Sequence, residues 1–131
     1  MLFRSVRQDH PRIRQRLSLA QFTAEDHIAV TSSATGHWIL DKTLEDARID
    51  RRVTLRLPDF LGLAAIVAAT DSIVCVPERL GQVMREAARV KLLAPPMRLP
   101  VYQVKQHWHE RFHHDAAHRW LRGVVAQLFL E

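Results

Sequence analysis

Apolar residues recur in short blocks whose spacing switches between two and about 3.6, the mark of strands alternating with helices. Residues 2–6 alternate weakly and run into Asp9-His10-Pro11. Proline drives the residue before it away from helix, so this block predicts a poor edge or entry strand closed by a turn. Ser18-Leu19-Ala20-Gln21-Phe22 offers an N-cap followed by apolar residues at helical spacing, enough for about two turns. His27-Ile28-Ala29-Val30-Thr31 is rich in β-branched residues and predicts a buried strand.

A strand, loop, helix unit then appears three times. The hydroxyl-rich loop Thr31-Ser32-Ser33-Ala34-Thr35-Gly36 is followed by Trp38, Ile39, Leu40, Leu44 and Ala47 at helical spacing. Residues 53–57 predict the next strand, Pro58-Asp59 its loop, and residues 60–69 a helix apolar nearly all round. Residues 72–76 form a continuous apolar strand. Pro77 suits the first turn of a helix that continues through Leu80, Val83, Met84 and Ala87. A short strand at 90–93 leads to the stiff connector Pro95-Pro96 and Pro100, where a change of domain is expected. Residues 101–109 alternate as a strand with unequal faces would. A helix from Ala116 carries Trp120, Leu121, Val124, Val125, Leu128 and Phe129 as a broad apolar stripe. The alternation predicts an α/β sheet with parallel pairs and helices on its faces.

Composition changes this picture little. The chain has 131 residues, 47% of them hydrophobic and 25% charged. It is therefore long enough for one domain with a core, and it lies far from the disordered extremes. The formal net charge of +5 comes from dispersed arginines, which read as a solvated surface rather than as a nucleic-acid footprint. Cys75, the one cysteine, lies inside Ile73-Val74-Cys75-Val76 and reads as a small buried hydrophobe. Neither a secretory signal nor a membrane-length apolar run is evident, so a cytoplasmic location is expected, with no membrane partner.

Four stretches together resemble the LysR-type transcriptional regulators, in the branch that senses aromatic acids, nitroaromatics and flavonoids. They are Gln8-Asp9-His10-Pro11 with Leu17-Ser18-Leu19-Ala20-Gln21-Phe22, the loop Thr35-Gly36-His37, the run 51–79, and Trp108-His109 followed by Ala117-His118-Arg119-Trp120-Leu121-Arg122. Their order and spacing match that branch across nearly the whole chain. The resemblance implies a lobe like a type 2 periplasmic binding protein, a Rossmann-like sheet flanked by helices, with a returning strand and C-terminal helix of a second lobe. On that basis residues 1–97 form the second lobe of the effector-binding domain. Residues 98–131 are the crossover strand and last helix of the first lobe. The N-terminal winged helix-turn-helix, the linker helix and most of the first lobe are expected to be absent.

The implied activity is effector sensing: a small aromatic or carboxylate-bearing molecule held between two lobes to modulate transcription. DNA would be bound only through the missing domain of the full regulator, and the chain would form homo-oligomers. In open α/β sheets ligands sit beyond the carboxyl ends of the strands, where helix N-termini offer free N–H donors. The hydroxyl-rich loop is such a place, which makes Thr31, Ser32, Ser33 and Thr35 candidate ligand-binding residues, and the resemblance adds His37, Phe60, Arg79 and Val104. The resemblance implies that His37 is a hydrogen-bond donor, Arg79 a charge partner and Val104 an apolar wall. Each has a plainer alternative: a helix cap for His37, a first-turn surface residue for Arg79, core for Val104. Where that branch has Pro-His before the aromatic Phe60, this chain has Pro58-Asp59, which alters the charge of the pocket.

Two rival readings compete with sensing. His107, His109, His113, His114 and His118 cluster in sequence, and His114 with His118 would share a helical face at a spacing suited to a metal sensor. His109 and His118 already belong to the family-like pattern, however, and no metal site is assigned. A pure oligomerisation module is the other. No cofactor and no enzymatic activity are expected, since no nucleophile with its base, paired carboxylates or phosphate cradle stands out.

Overall fold

The computed structural model describes residues 2–31, 37–99 and 105–129, and of His37 and Trp38 the main chain only. The elements are β1 (Leu2–Arg7), α1 (Leu19–Ala24), β2 (Asp26–Val30), α2 (His37–Asp46), β3 (Arg52–Leu57), α3 (Leu63–Ala69), β4 (Ile73–Pro77), α4 (Glu78–Ala87), β5 (Val90–Leu93) and α5 (Ala116–Phe129). A 3-10 turn at Glu110–Phe112 precedes α5. The strands form a five-stranded sheet in the order β3-β2-β4-β1-β5.

Of the two expectations for β1, the edge strand is the one overturned. It lies between β4 and β5 and runs antiparallel to both, with Arg4 opposite Cys75 on one side and Leu93 on the other. Four of its six residues are buried, so both faces are covered. Its sequence alternation is weak for that reason: an interior strand has no solvent face to mark. β2 pairs in parallel with β3 and with β4. The chain leaves β2 outward to β3 and then crosses back to β4, which puts the reversal of strand order between β2 and β4.

Helices cover both faces. Phe22 of α1 and Leu40 and Leu44 of α2 pack with Leu2, Val6, Ile13, Ile73 and Cys75 on one side. Leu63 and Val67 of α3 and Met84 of α4 pack with Ile28, Val30, Val74 and Val76 on the other. Gly81 allows the second contact, because a Cβ there would stand 2.8 Å from Leu92 Cδ2 and 3.3 Å from Val76 Cγ2.

The helix boundaries follow local chemistry. Ser18 caps α1 as its sequence predicts, and the cap is closed as a capping box with Gln21. α3 begins at Leu63 rather than at residue 60. Asp59 Oδ1 accepts the Leu61 N–H at 2.7 Å, and Gly62 stands at φ +73°, so the chain turns before it winds. α2 ends in a Schellman motif, in which Ile49 N–H donates to Leu44 O and Arg48 N–H to Glu45 O. The left-handed position of that motif, which glycine usually fills, is held by Arg48 at φ 53°.

The returning strand expected over 101–109 is not found where it can be judged. Residues 101–104 lie outside the described residues, and 105–109 carry no regular structure. A strand needs a neighbouring strand to take up its N–H and C=O groups, and none lies beside 105–109 among the described residues. Among the described residues no helix is long and apolar enough to cross a membrane.

Candidate functional site

Parallel pairing brings the carboxyl ends of β2, β3 and β4 to one edge of the sheet. The N-termini of α2, α3 and α4 follow from these ends. Val30, Leu57 and Pro77 end the three strands, and Leu2 of antiparallel β1 lies opposite Pro77.

Three candidate residues stand on this edge with described side chains. Thr31 is exposed. Its main-chain N–H and its hydroxyl both donate to Leu57 O, at 2.8 and 3.2 Å, which locks the end of β2 to that of β3. Phe60 is half-buried and packs on the cluster under α3 and α4. Arg79 sits in the first turn of α4, exposed, beside the last turn of α5. His37 is the first residue of α2, and its side chain lies outside the described residues. Ser32, Ser33, Thr35 and Val104 lie outside them altogether.

Arg79 has an unexpected engagement. Its Nη1 donates to Leu128 O at 2.9 Å and its Nη2 to Phe129 O at 3.4 Å, with the guanidinium 5.2 Å from the centre of the Phe129 ring. A cation thus meets the open carbonyls at the negative end of a helix. The edge therefore offers hydroxyl, aromatic and guanidinium groups beside three helix starts, a set suited to a small molecule with an apolar body and an electron-rich oxygen cluster.

The histidine segment is used differently from the metal reading. α5 starts at Ala116, so His114 precedes it and the helical face expected to join His114 to His118 does not form. Asp115 caps the helix instead: its Oδ1 accepts the His118 main-chain N–H at 2.8 Å and lies 2.7 Å from His118 Nδ1. His118 stacks on Phe112, and His113 Nδ1 accepts from Trp108 Nε1. Arg122 lies over Trp108 and donates to Phe112 O and His113 O. Among the described residues no three His, Cys, Asp or Glu side chains converge to hold a metal.

Two buried histidines tie loops and helix to the sheet. His10, 3% exposed, is the hub of the Asp9-His10-Pro11 turn. Its Nδ1 accepts the N–H groups of Arg12 and Ile13, so Nε2 carries the proton and donates to Asp71 O at 2.9 Å. Asp71 also receives Arg7 Nε at 2.6 Å, while Arg12 forks onto buried Glu25 at 2.6 and 2.7 Å. The Arg12 hydrogen bonds hold the Glu25 carboxyl below its usual range. His27 is fully buried, and its Nε2 donates to Phe22 O at 2.6 Å. Burial pushes its pKa from 6.5 down to about 4, against the opposing effect of that bond.

Sequence reasoning missed Arg4, which is fully buried. The signal was present, because a period of two puts Arg4 on the same strand face as Leu2 and Val6.

The sequence profile described as LysR substrate binding domain matches residues 3–129. The HTH-type transcriptional activator NagR of a Ralstonia species is 34% identical over 125 residues, which is 95% of this chain and 42% of that protein. The chain therefore spans about two-fifths of that relative's length. Among solved structures, the regulatory domain of MexT, a transcriptional activator in Pseudomonas aeruginosa, superposes with a TM-score of 0.82 at 27% identity. The match covers 95% of this chain and 62% of MexT. The effector binding domain of QuiR, solved with shikimate, gives a TM-score of 0.58 at 15% identity, over 82% of this chain and 53% of that one, which is a likeness of fold. These relatives are named as regulators or as effector-binding domains, not as enzymes. The chain belongs to the LysR substrate binding domain family.

Proposed function

We propose that this chain is the effector-sensing part of a LysR-type transcriptional regulator, and that it binds a small aromatic or carboxylate-bearing molecule in a cleft between two lobes. The observation that carries the reading is the gathering of Thr31, Phe60 and Arg79 at the carboxyl edge of β2, β3 and β4, where His37 begins α2. On this reading Ser32, Ser33, Thr35 and Val104 are ligand-binding residues as well. Residues 1–97 are then the second lobe, and 98–131 belong to the first. A ligand that bridges both prefers one arrangement of the lobes, and that difference in affinity is the signal passed to the DNA-bound regulator. DNA is contacted by a helix-turn-helix domain of the full-length protein, in the cytoplasm.

Calorimetric titration of the intact regulator with salicylate, benzoate and nitroaromatics tests the reading. Saturable binding is expected, weakened at least tenfold by Arg79→Ala and by Thr31→Val. Absence of binding throughout these compounds, or equal affinity in both variants, overturns it.

Self-association is part of the same reading. Trp120 and Leu128 on α5 are 70% and 64% exposed, and Leu121 and Phe129 are exposed beside them. Such a row is normally covered by protein. Light scattering is expected to give a dimer for the chain and a monomer for a Trp120→Glu, Leu121→Glu double variant. A monomeric parent chain counts against this assignment.

A further inference from the structure

Arg79 stands in the first turn of α4, just past the carboxyl end of β4, on the sheet edge it shares with Thr31 and Phe60. An exposed arginine samples many rotamers, and a ligand that has to fix one loses affinity to the entropy of ordering it. Arg79 is already fixed. Nη1 donates to Leu128 O and Nη2 to Phe129 O, and the Phe129 ring centre lies 5.2 Å from the guanidinium, within reach of a cation–π contact. Two bonds from different nitrogens set the direction of the group, and the ring sets a third point.

These contacts order the guanidinium without cancelling its charge, because the carbonyls and the ring are neutral. A guanidinium carries five N–H groups in a planar fork, so two carbonyls do not exhaust it. The platform behind Arg79 is itself braced. α5 runs for 14 residues, Asp115 caps its start through the His118 N–H, and Arg122 ties it to Phe112 O and His113 O. Phe129 is 62% exposed, so its ring contributes little to the core.

We propose that Phe129 is a positioning residue for effector binding: from the last turn of α5 it holds the Arg79 guanidinium ordered and charged at the sheet edge, set for the carboxylate of the ligand. The inference rests on the sensing reading above and deepens it, since it makes the end of α5 part of the carboxylate site. Phe129 then favours a carboxylate far more than the matching amide, which carries no charge to meet the guanidinium.

The test is calorimetric titration of the intact regulator with salicylate and benzoate and with their amides, salicylamide and benzamide. The readout is the preference for the acid over its amide. A general loosening of the domain lowers both affinities and leaves that preference unchanged. Phe129→Ala and Phe129→Leu are each expected to lower it about threefold, while Phe129→Trp, which keeps an aromatic face, retains it. Arg79→Ala is expected to weaken the acids at least tenfold, and adding Phe129→Ala to it to weaken them no further. Binding of the acids with an unchanged preference in Phe129→Ala, or an equal effect of Phe129→Ala with and without Arg79, overturns the role of Phe129 and leaves the sensing reading standing. Binding by neither acid overturns it too; a nitroaromatic that still binds then preserves the sensing reading, and silence throughout removes both.

Discussion

The guanidinium of Arg79 spans from the first turn of α4 to the last turn of α5, where it lies over the ring of Phe129 and donates to that residue's carbonyl. The contact joins two helices that belong to different lobes on the reading proposed above. Whatever draws Arg79 away loosens the end of α5.

Arg79→Ala is therefore expected to speed amide exchange in the last turn of α5 about fivefold, the effect of losing roughly 1 kcal/mol of charge-assisted bonding at an exposed site. The global melting temperature should hardly move. Exchange measured residue by residue checks both, and unchanged rates over 126–129 would remove the coupling.

His27 makes stability fall with acid. Its folded pKa, about 4, lies below the ordinary 6.5, so the unfolded chain takes up a proton that the folded chain refuses. The contribution is whole above pH 6.5, declines as the pH drops toward 4 and is gone below that. The full span is about 3 kcal/mol. Glu25, held low by Arg12, adds a second loss beneath the ordinary carboxylate range. Urea unfolding between pH 7 and 4 should show the slope, and His27→Phe should flatten it above pH 5.

His10→Ala removes three hydrogen bonds from one buried ring and leaves the Arg12 and Ile13 N–H groups without acceptors. A loss of about 3 kcal/mol is expected from the unsatisfied groups and the cavity. His10→Gln should recover little, since it cannot serve both N–H groups and reach Asp71. Chemical denaturation measures the difference.

Arg48→Gly should stabilise the protein. At φ 53° a side chain is strained, and the relief of about 1 kcal/mol exceeds the added entropy of glycine in the unfolded chain by a few tenths. A lowered melting temperature would contradict this account of the α2 terminus.

Much of the fold was legible because its signals are local. Ser18 with Gln21, Pro77 ahead of α4, and the apolar runs of β2 and β4 each announce an element within a few residues. Position within the sheet was not legible. β1 reads as a poor strand because both of its faces are covered, and nothing in residues 2–6 tells of β5, which forms almost ninety residues later. The 105–109 segment alternates like a strand, yet pairing depends on a neighbour the pattern cannot supply. The candidate site was partly legible: the sheet edge followed from the repeat of strand, loop and helix, whereas the grip of Arg79 on Leu128 and Phe129 depends on a contact across nearly fifty residues. Arg4 was overlooked because charge suggested surface, although its place in the alternation pointed inward.

The insertion of β1 between β4 and β5 also sets the order in which the molecule can assemble. Residues 2–7 precede both of their partners in the chain and can be zipped into place only after residues 73–93 have emerged, so these ladders are the most non-local part of the sheet. Long loops must close before these ladders form, which slows folding relative to a chain of local contacts. During synthesis β1 therefore waits for both neighbours with Leu2 and Val6 uncovered, and the rate-limiting step is expected to be the closing of the sheet around Arg4.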